Sequence, residues 1–311
     1  MNRSNLRTLA LTCIAMVMSV AIWSQDTVTT GGKQLNIPGT KVFITPPSGF
    51  QISSSFSGLV NNEVGTIQIM DLDGGSFDSN AAKFTKQALE KGGLTILEYK
   101  DFKHEGFDAK WVYMTKDIKS MALVFGDDSF SVLAMALMNT NDEKVINGIK
   151  AGLLSITYQK ELKVDPFQNL LFELDDSQTA LQFAKKAGPV WLYSKQGKLE
   201  NIGGDHPMVM VMTIPISGST NPKNAVTSVL SSLEGKGWSD AKVVSESTDP
   251  VNGLEGYTTV LQGKMKGSDV LFFAESVKVG ATFVLVQGFS RKDFKEDLIL
   301  FQELAKTIKA K

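Results

Sequence analysis

The sequence predicts an α+β fold in two tandem copies, each a largely antiparallel sheet with two helices to cover it. Three observations lead there. Strand-like runs follow one another at hairpin spacing, amphipathic helical stripes interrupt them, and short segments of the first half recur in order in the second. Leu89-Glu90-Lys91-Gly92-Gly93 matches Leu233-Glu234-Gly235-Lys236-Gly237 at an offset of 144, and Glu105-Gly106-Phe107 matches Glu255-Gly256-Tyr257 at 150. Val42-Phe43-Ile44 is set against Leu181-Gln182-Phe183 at 139. Offsets that grow along the chain are what loop insertions in one copy produce. The 311 residues, 42% hydrophobic and 21% charged, suffice for two domains with a core each and exclude long disorder.

Residues 1–24 read as a secretory signal peptide. Arg3 and Arg7 give the positive start, Thr8 to Trp23 an uncharged, mostly apolar run, and Ser19, Ala21 and Ser24 small residues for cleavage after Ala21 or after Ser24. The run is short for a membrane helix, which needs about 20 apolar residues, so no span is expected after cleavage. Cys13, the single cysteine, lies inside the run behind Leu11 and Thr12, so it is not placed for lipid attachment. The expected location is therefore periplasmic or secreted, not as a lipoprotein. A mature chain without cysteine is held by core burial instead of disulfides. Loss of Arg3 and Arg7, from 32 basic against 33 acidic residues, takes the formal charge from −1 to −3. No basic patch stands out, so nucleic acid is not an expected partner. Residues 25–32 read as a flexible N-terminus.

The first copy spans 33–160. Gln34 to Ile37 leads through Pro38-Gly39 into Lys41 to Thr45, a hairpin. Strands follow at Phe50 to Ser53 and Val64 to Leu72. Asp78 or Ser79 is placed to cap a helix carrying Ala81, Phe84, Ala88 and Leu89, which Gly92 and Gly93 end. Thr95 to Phe102, Phe107 to Thr115, Ser120 to Phe125 and Ser129 to Met138 make a meander. Thr140 and Glu143 form a capping box for a helix with Val145, Ile146, Ile149 and Leu153 inward.

Residues 161–166 are the expected linker, punctuated by Pro166, and the second copy spans 167–311. Leu170 to Leu174 and Thr179 to Phe183 flank a polar turn. Trp191 to Ser194 is set against Phe50 to Ser53, and Pro207 to Pro215 is the next strand. Asn221 caps a helix with Pro222 at its first position and Ala225, Val226, Val229, Leu230 and Leu233 on its apolar face. Strands follow near Ala241 to Ser245, Gly256 to Gln262, Val270 to Ser276 and Thr282 to Gly288. A last helix runs from about Arg291, with Ser290 and Asp293 at its start and Lys306, Lys309 and Lys311 complementing its C-terminal dipole.

This order of elements resembles the Mog1/PsbP-like fold, as do Gly49-Phe50-Gln51-Ile52 and Pro189-Val190-Trp191-Leu192 at the head of the two copies. The resemblance implies two tandem αβα sandwiches, each built on an antiparallel sheet. The family includes nuclear-transport and photosystem accessory proteins and bacterial exported proteins, most of which act by binding. It shares no catalytic residues, so none is carried onto this chain.

The residue content restricts chemistry further. Two histidines and no mature cysteine exclude thiol nucleophiles and a multi-histidine metal site within one chain. His104, between Lys103 and Glu105, reads as a solvated turn residue. Gly235-Lys236-Gly237 follows a helix and stops it; a dinucleotide-binding loop would precede one. Trp111, Trp191 and Trp238 read as core or loop anchors. Asp127-Asp128 and Asp175-Asp176 read as wet hairpin tips.

Two segments are metal candidates. Asp71, Asp73 and Asp78 alternate with glycines as oxygen ligands for calcium do, but the twelfth position of an EF-hand is Ala82; the plainer reading is a strand-to-helix loop. Met208, Met210 and Met212, beside His206, offer thioethers for copper(I) from one face of a strand. Alternate strand residues lie about 6.5–7 Å apart, too far to share one ion without a bend, so a core strand is the plainer reading. No cofactor is expected. The function expected is an exported, non-enzymatic binding or accessory protein for an unidentified protein or small ligand. The alternatives are an envelope hydrolase with a site between the two domains, and a metal-handling protein.

Overall fold

The computed structural model describes residues 32–168, 170–199, 206–216, 220–233 and 237–311, with the side chains of Asp73 and Pro215 outside the description. The signal-peptide and N-terminal expectations for residues 1–31 fall outside the described residues, as does the 234–236 part of the second glycine segment. The chain divides into two compact units between residues 169 and 170. Among the described residues no helix is long and apolar enough to cross a membrane.

The first unit runs β1 (Leu35–Asn36), β2 (Val42–Ile44), β3 (Gln51–Ile52), β4 (Gly58–Asn61), β5 (Gly65–Asp73), α1 (Phe77–Ala81), α2 (Lys86–Lys91), β6 (Thr95–His104), β7 (Phe107–Thr115), β8 (Lys119–Gly126), β9 (Phe130–Met138), α3 (Glu143–Leu154) and β10 (Thr157–Tyr158). Its main sheet has the order β3-β4-β5-β9-β8-β7-β6, with every pair antiparallel. A small sheet, β1-β2-β10, closes one side. Strand alternation sends Ile67, Leu123, Phe125 and Val132 to one face, where Ile146, Ile149 and Leu153 of α3 meet them. Met70, Ala122, Val124 and Leu133 are buried on the other face, and α1 packs on β8 and β9.

The second unit runs β11 (Phe172–Glu173), β12 (Leu181–Ala187), β13 (Val190–Lys195), β14 (Met208–Pro215), α4 (Pro222–Leu233), β15 (Trp238–Ser247), β16 (Gly256–Met265), β17 (Ser268–Val279), β18 (Thr282–Ser290), α5 (Phe294–Ala305) and β19 (Lys309–Ala310). Its sheet has the order β12-β13-β14-β18-β17-β16-β15, again wholly antiparallel, with β11 pairing β19. α4 buries Val226, Val229 and Leu233 against one face, and Phe301 of α5 lies 6.1 Å from Phe273 on the other. Each unit is thus an αβα sandwich, and the two share one strand order.

Register makes the correspondence finer than order. The β6–β7 turn, His104 to Phe107, and the Val251 to Leu254 bridge differ by 147, and the same 147 relates Glu98↔Tyr113 to Ser245↔Val260. Carrying the registers outward from that turn gives offsets of 152 for β8 and β9, 142 for β5, 134 for β4, 131 for β3 and 130 for β2. The offsets rise along the chain, and buried faces coincide: Ile67 and Ile69 correspond to Val209 and Val211.

Several local expectations are corrected. The partner of Val42–Ile44 is Phe172–Glu173, because both pair with the closing strand of their unit. Trp191 lies in β13, which answers to β4, whereas Gln51–Ile52 answers to β12. β4 was hidden by Gly58 and Asn61, which break apolar alternation. Glu105-Gly106 corresponds to Asn252-Gly253, not to Glu255-Gly256. The helix expected over 78–91 is two short ones. Ser76 caps α1 by accepting from the Ser79 N–H, and Thr85 starts α2 by accepting from the Ala88 N–H, a local bond that competes with continuation. Asp142 caps α3, accepting from the Lys144 N–H at 2.8 Å, while the Thr140 hydroxyl oxygen accepts from the Asp142 N–H. α5 starts at Phe294, and Lys309 belongs to β19 instead of the helix end.

Candidate functional site

The calcium candidates are engaged in fastening the fold. Asp71 ends the useful length of β5 beside the small sheet. Its Oδ2 accepts from the Lys41 N–H at 2.8 Å and its Oδ1 from the Tyr158 hydroxyl at 3.3 Å, so one carboxylate ties β2 and β10 to the main sheet. Asp78 is exposed in the first turn of α1, where negative charge suits the helix dipole. The side chain of Asp73 lies outside the description. The loop itself is drawn toward the β8–β9 turn, with the Gly74 N–H donating to the Ser129 carbonyl at 2.7 Å. Among the described residues no three His, Cys, Asp or Glu gather as a metal cluster.

Met208, Met210 and Met212 project from one face of β14, beneath Val226 and Val229 of α4. Val209 and Val211 are buried on the opposite face. The strand is central in its sheet and apolar on both sides, as such strands are. Gln287 places its amide nitrogen 3.5 Å from the Met212 Sδ. His206 is exposed ahead of the strand.

His104 departs from the solvated turn residue expected of it. It is only 6% exposed, lies 4.8 Å edge-on from Phe125, and its Nε2 donates to the Ile156 carbonyl at 2.7 Å. It is the last residue of β6, on the face that looks inward, and it grips the chain just after α3. The second unit repeats the grip one position on. Asn252 Nδ2 donates to the Ile308 and Lys306 carbonyls, both at 2.7 Å, just after α5. The charged tips are bonded too. Asp127 accepts from Lys160 at 2.7 Å and from Ser129, which hold its carboxyl well below the usual range. Asp175 and Asp176 accept from the N–H groups of Ser177 and Phe183.

Of the edge strands, β3 and β6 in one unit and β12 and β15 in the other, β6 and β15 hold the most exposed large aliphatic side chains. Each of these two carries a β-bulge at the same place: Leu97 is the extra residue between Ile96 and Glu98, and Val244 the extra residue between Val243 and Ser245. Both are aliphatic and open, Leu97 50% and Val244 53% exposed, with Val243 at 58%. The two edges differ in cover. On β6, Tyr99 donates to the Phe84 carbonyl at 3.0 Å, and Glu98 takes Lys100 at 2.7 Å and Lys150 at 2.6 Å, which bring its pKa to about 2. On β15, residues 239–246 are all exposed. Glu246 sits by Lys223 at 3.5 Å, and Tyr257, whose ring lies 5.1 Å below the same ammonium, is pushed up to about 12 by burial and then by Glu246. This edge was missed from sequence because Lys242-Val243-Val244-Ser245 reads as an ordinary half-buried strand.

No family model matches the chain, and no curated protein does. Solved structures do. The chain is similar to the Ran-binding protein Mog1p of Saccharomyces cerevisiae (14% identity, 42% of this chain and 86% of that one, TM-score 0.32). It is also similar to the PsbP of the cyanobacterium Synechocystis (8%, 45% and 82%, TM-score 0.31). The immunity protein TplEi of the T6SS of Pseudomonas aeruginosa matches over 89% of this chain and 97% of its own, at 10% identity and TM-score 0.33. The Mog1/PsbP-like resemblance read from the sequence recurs here as a likeness of architecture; the two-copy reading itself rests on strand order and register.

Proposed function

We propose that the chain is an exported, non-enzymatic binding protein, periplasmic or secreted, whose tandem sandwiches hold a protein partner. The observation that carries the reading is the β15 edge, open along residues 239–246 with Val243 and Val244 uppermost. Exposed aliphatic groups on an edge strand are a liability unless something uses them. The bulge argues how they are used. It breaks the ladder that an added strand would extend and turns a side chain outward, so recognition falls to the side chains. His104 and Asp71, two side chains with catalytic potential, are meanwhile occupied in holding the fold.

The test is capture from the envelope fraction of the native cell, with the wild-type chain beside the Val243→Asp/Val244→Asp variant. The expected result is a protein retained by the wild type and lost by the variant, from cells in which the chain starts at Ile22 or Gln25. Equal retention by both, or a chain recovered in the cytoplasm with Met1 intact, would overturn the reading.

A further inference from the structure

We infer that Asn252 is a hydrolytic modification site, at which conversion to aspartate or isoaspartate unlocks the C-terminal strand of the second unit. The chain contains two Asn-Gly dipeptides, Asn147-Gly148 and Asn252-Gly253. Glycine in second place leaves the following backbone nitrogen unshielded, so it can reach the asparagine side chain. In that step the Gly253 nitrogen attacks Asn252 Cγ, an N–Cγ bond forms, the Cγ–Nδ2 bond breaks, and ammonia leaves with the Gly253 amide proton. Water then opens the cyclic imide at either carbonyl, giving the aspartyl or the isoaspartyl chain.

The two dipeptides are set apart by structure. Asn147-Gly148 lies inside α3, where the Gly148 N–H belongs to the helical ladder and the backbone cannot fold back on its side chain. Asn252-Gly253 is the exposed tip of a tight turn, with φ of 50° and 80°. The two backbone bonds of that turn join Val251 and Leu254 in both directions, at 3.0 and 2.9 Å, and leave the Gly253 nitrogen outside them. A Cβ on Gly253 would meet nothing within 4 Å, so no atom from elsewhere in the fold crowds the turn at that residue.

The consequence follows from what Nδ2 holds. It donates to the carbonyls of Lys306 and Ile308, the residues that lead from α5 into β19. A carboxylate there has no proton to donate and faces two carbonyl oxygens at hydrogen-bonding distance. β19 is only two residues long, paired to Phe172–Glu173, with the Lys311 N–H donating to the Leu171 carbonyl at 3.0 Å. So short a strand depends on its anchor. The first unit is spared, because its equivalent grip is made by His104, and Glu105 stands at the position that corresponds to Asn252.

The test is to age the full chain in mildly alkaline buffer and follow it by peptide mass spectrometry and hydrogen exchange. The expected result is a one-dalton gain at Asn252 and none at Asn147, with exchange protection of β19 and Lys311 falling in step. The Asn252→Asp variant should show the loosened C-terminus from the start, and Gly253→Ala should slow the conversion several-fold. Asn252 staying intact while the same sequence in a free peptide converts would overturn the inference. So would a converted chain that keeps full protection of β19, a result legible even if the Asn252→Asp variant fails to fold.

Discussion

Gly288 and Phe301 show how a single side chain has been traded between the copies. A Cβ at Gly288 would lie 2.4–2.8 Å from three atoms of the Phe301 ring. Their counterparts under the register offset are Ala136 and Ile149, a methyl against a smaller side chain. Gly288→Ala should therefore destabilise the second unit by about 1–3 kcal/mol through overpacking, read as a lower denaturant midpoint. Adding Phe301→Ile to that variant should recover part of the loss. A plain sum of two losses would contradict the pairing. Glu275 is a second such trade, because its counterpart is Leu123. It is buried, 5% exposed, with Oε2 accepting from the Thr258 hydroxyl at 2.9 Å, and its Oε1 has no hydrogen-bond partner. Burial raises its pKa above the ordinary 4.5, against the opposing pull of Thr258 and Lys306. Folding thus favours the protonated form, so the contribution of Glu275 to stability is fullest in acid and declines as pH climbs from 4.5 through the raised value. Glu275→Leu should remove that decline in a pH series of unfolding curves. An unchanged slope would mean another group sets it.

At the scale of elements, periodicity carried most of the fold. Long strands with a central place in the sheet were legible, because burial on both sides leaves a run such as Pro207 to Pro215 with nothing polar until its end. β8 and β9 were legible for the same reason, and β7 by the alternation of Asp108 and Lys110 with Ala109 and Trp111. Short elements held by side-chain bonds were not. β4 is four residues with a glycine at its head, and α1 and α2 are divided by the Thr85 cap, which a stripe of Ala81, Phe84, Ala88 and Leu89 conceals. Of the candidate site, the segments were legible and their exposure was not: Val243-Val244 and His104 each read the opposite way in sequence. The bulges make an element-scale prediction. Deleting Val244 would remove the bulge between Val243 and Ser245, join the ladder from Lys242 to Ser247 and leave a straighter, open edge there. The deletion variant should form higher oligomers in light scattering where the wild type does not. An unchanged mass would mean the bulge does not guard the edge.

For the whole molecule, the strongest pattern is one sandwich used twice with different fittings. Register, buried faces, the grip on the chain after the last helix and the edge bulge all recur, while Tyr99 and Glu98 on β6 give way to Glu246 and Ser245 on β15. The first copy closes its edge with Phe84, Lys100 and Lys150; the second leaves its edge bare. Growing offsets put the added residues of the second copy in its loops, in a longer β12 and in a longer β16–β17 hairpin, at the ends and edges of the sheet where a duplicated fold tolerates change. The measurement that tests this most directly is heat unfolding of residues 33–168 and 170–311 produced separately. A cooperative transition is expected for each, because each unit has its own sheet, helices and core. A half that shows no cooperative transition would contradict it.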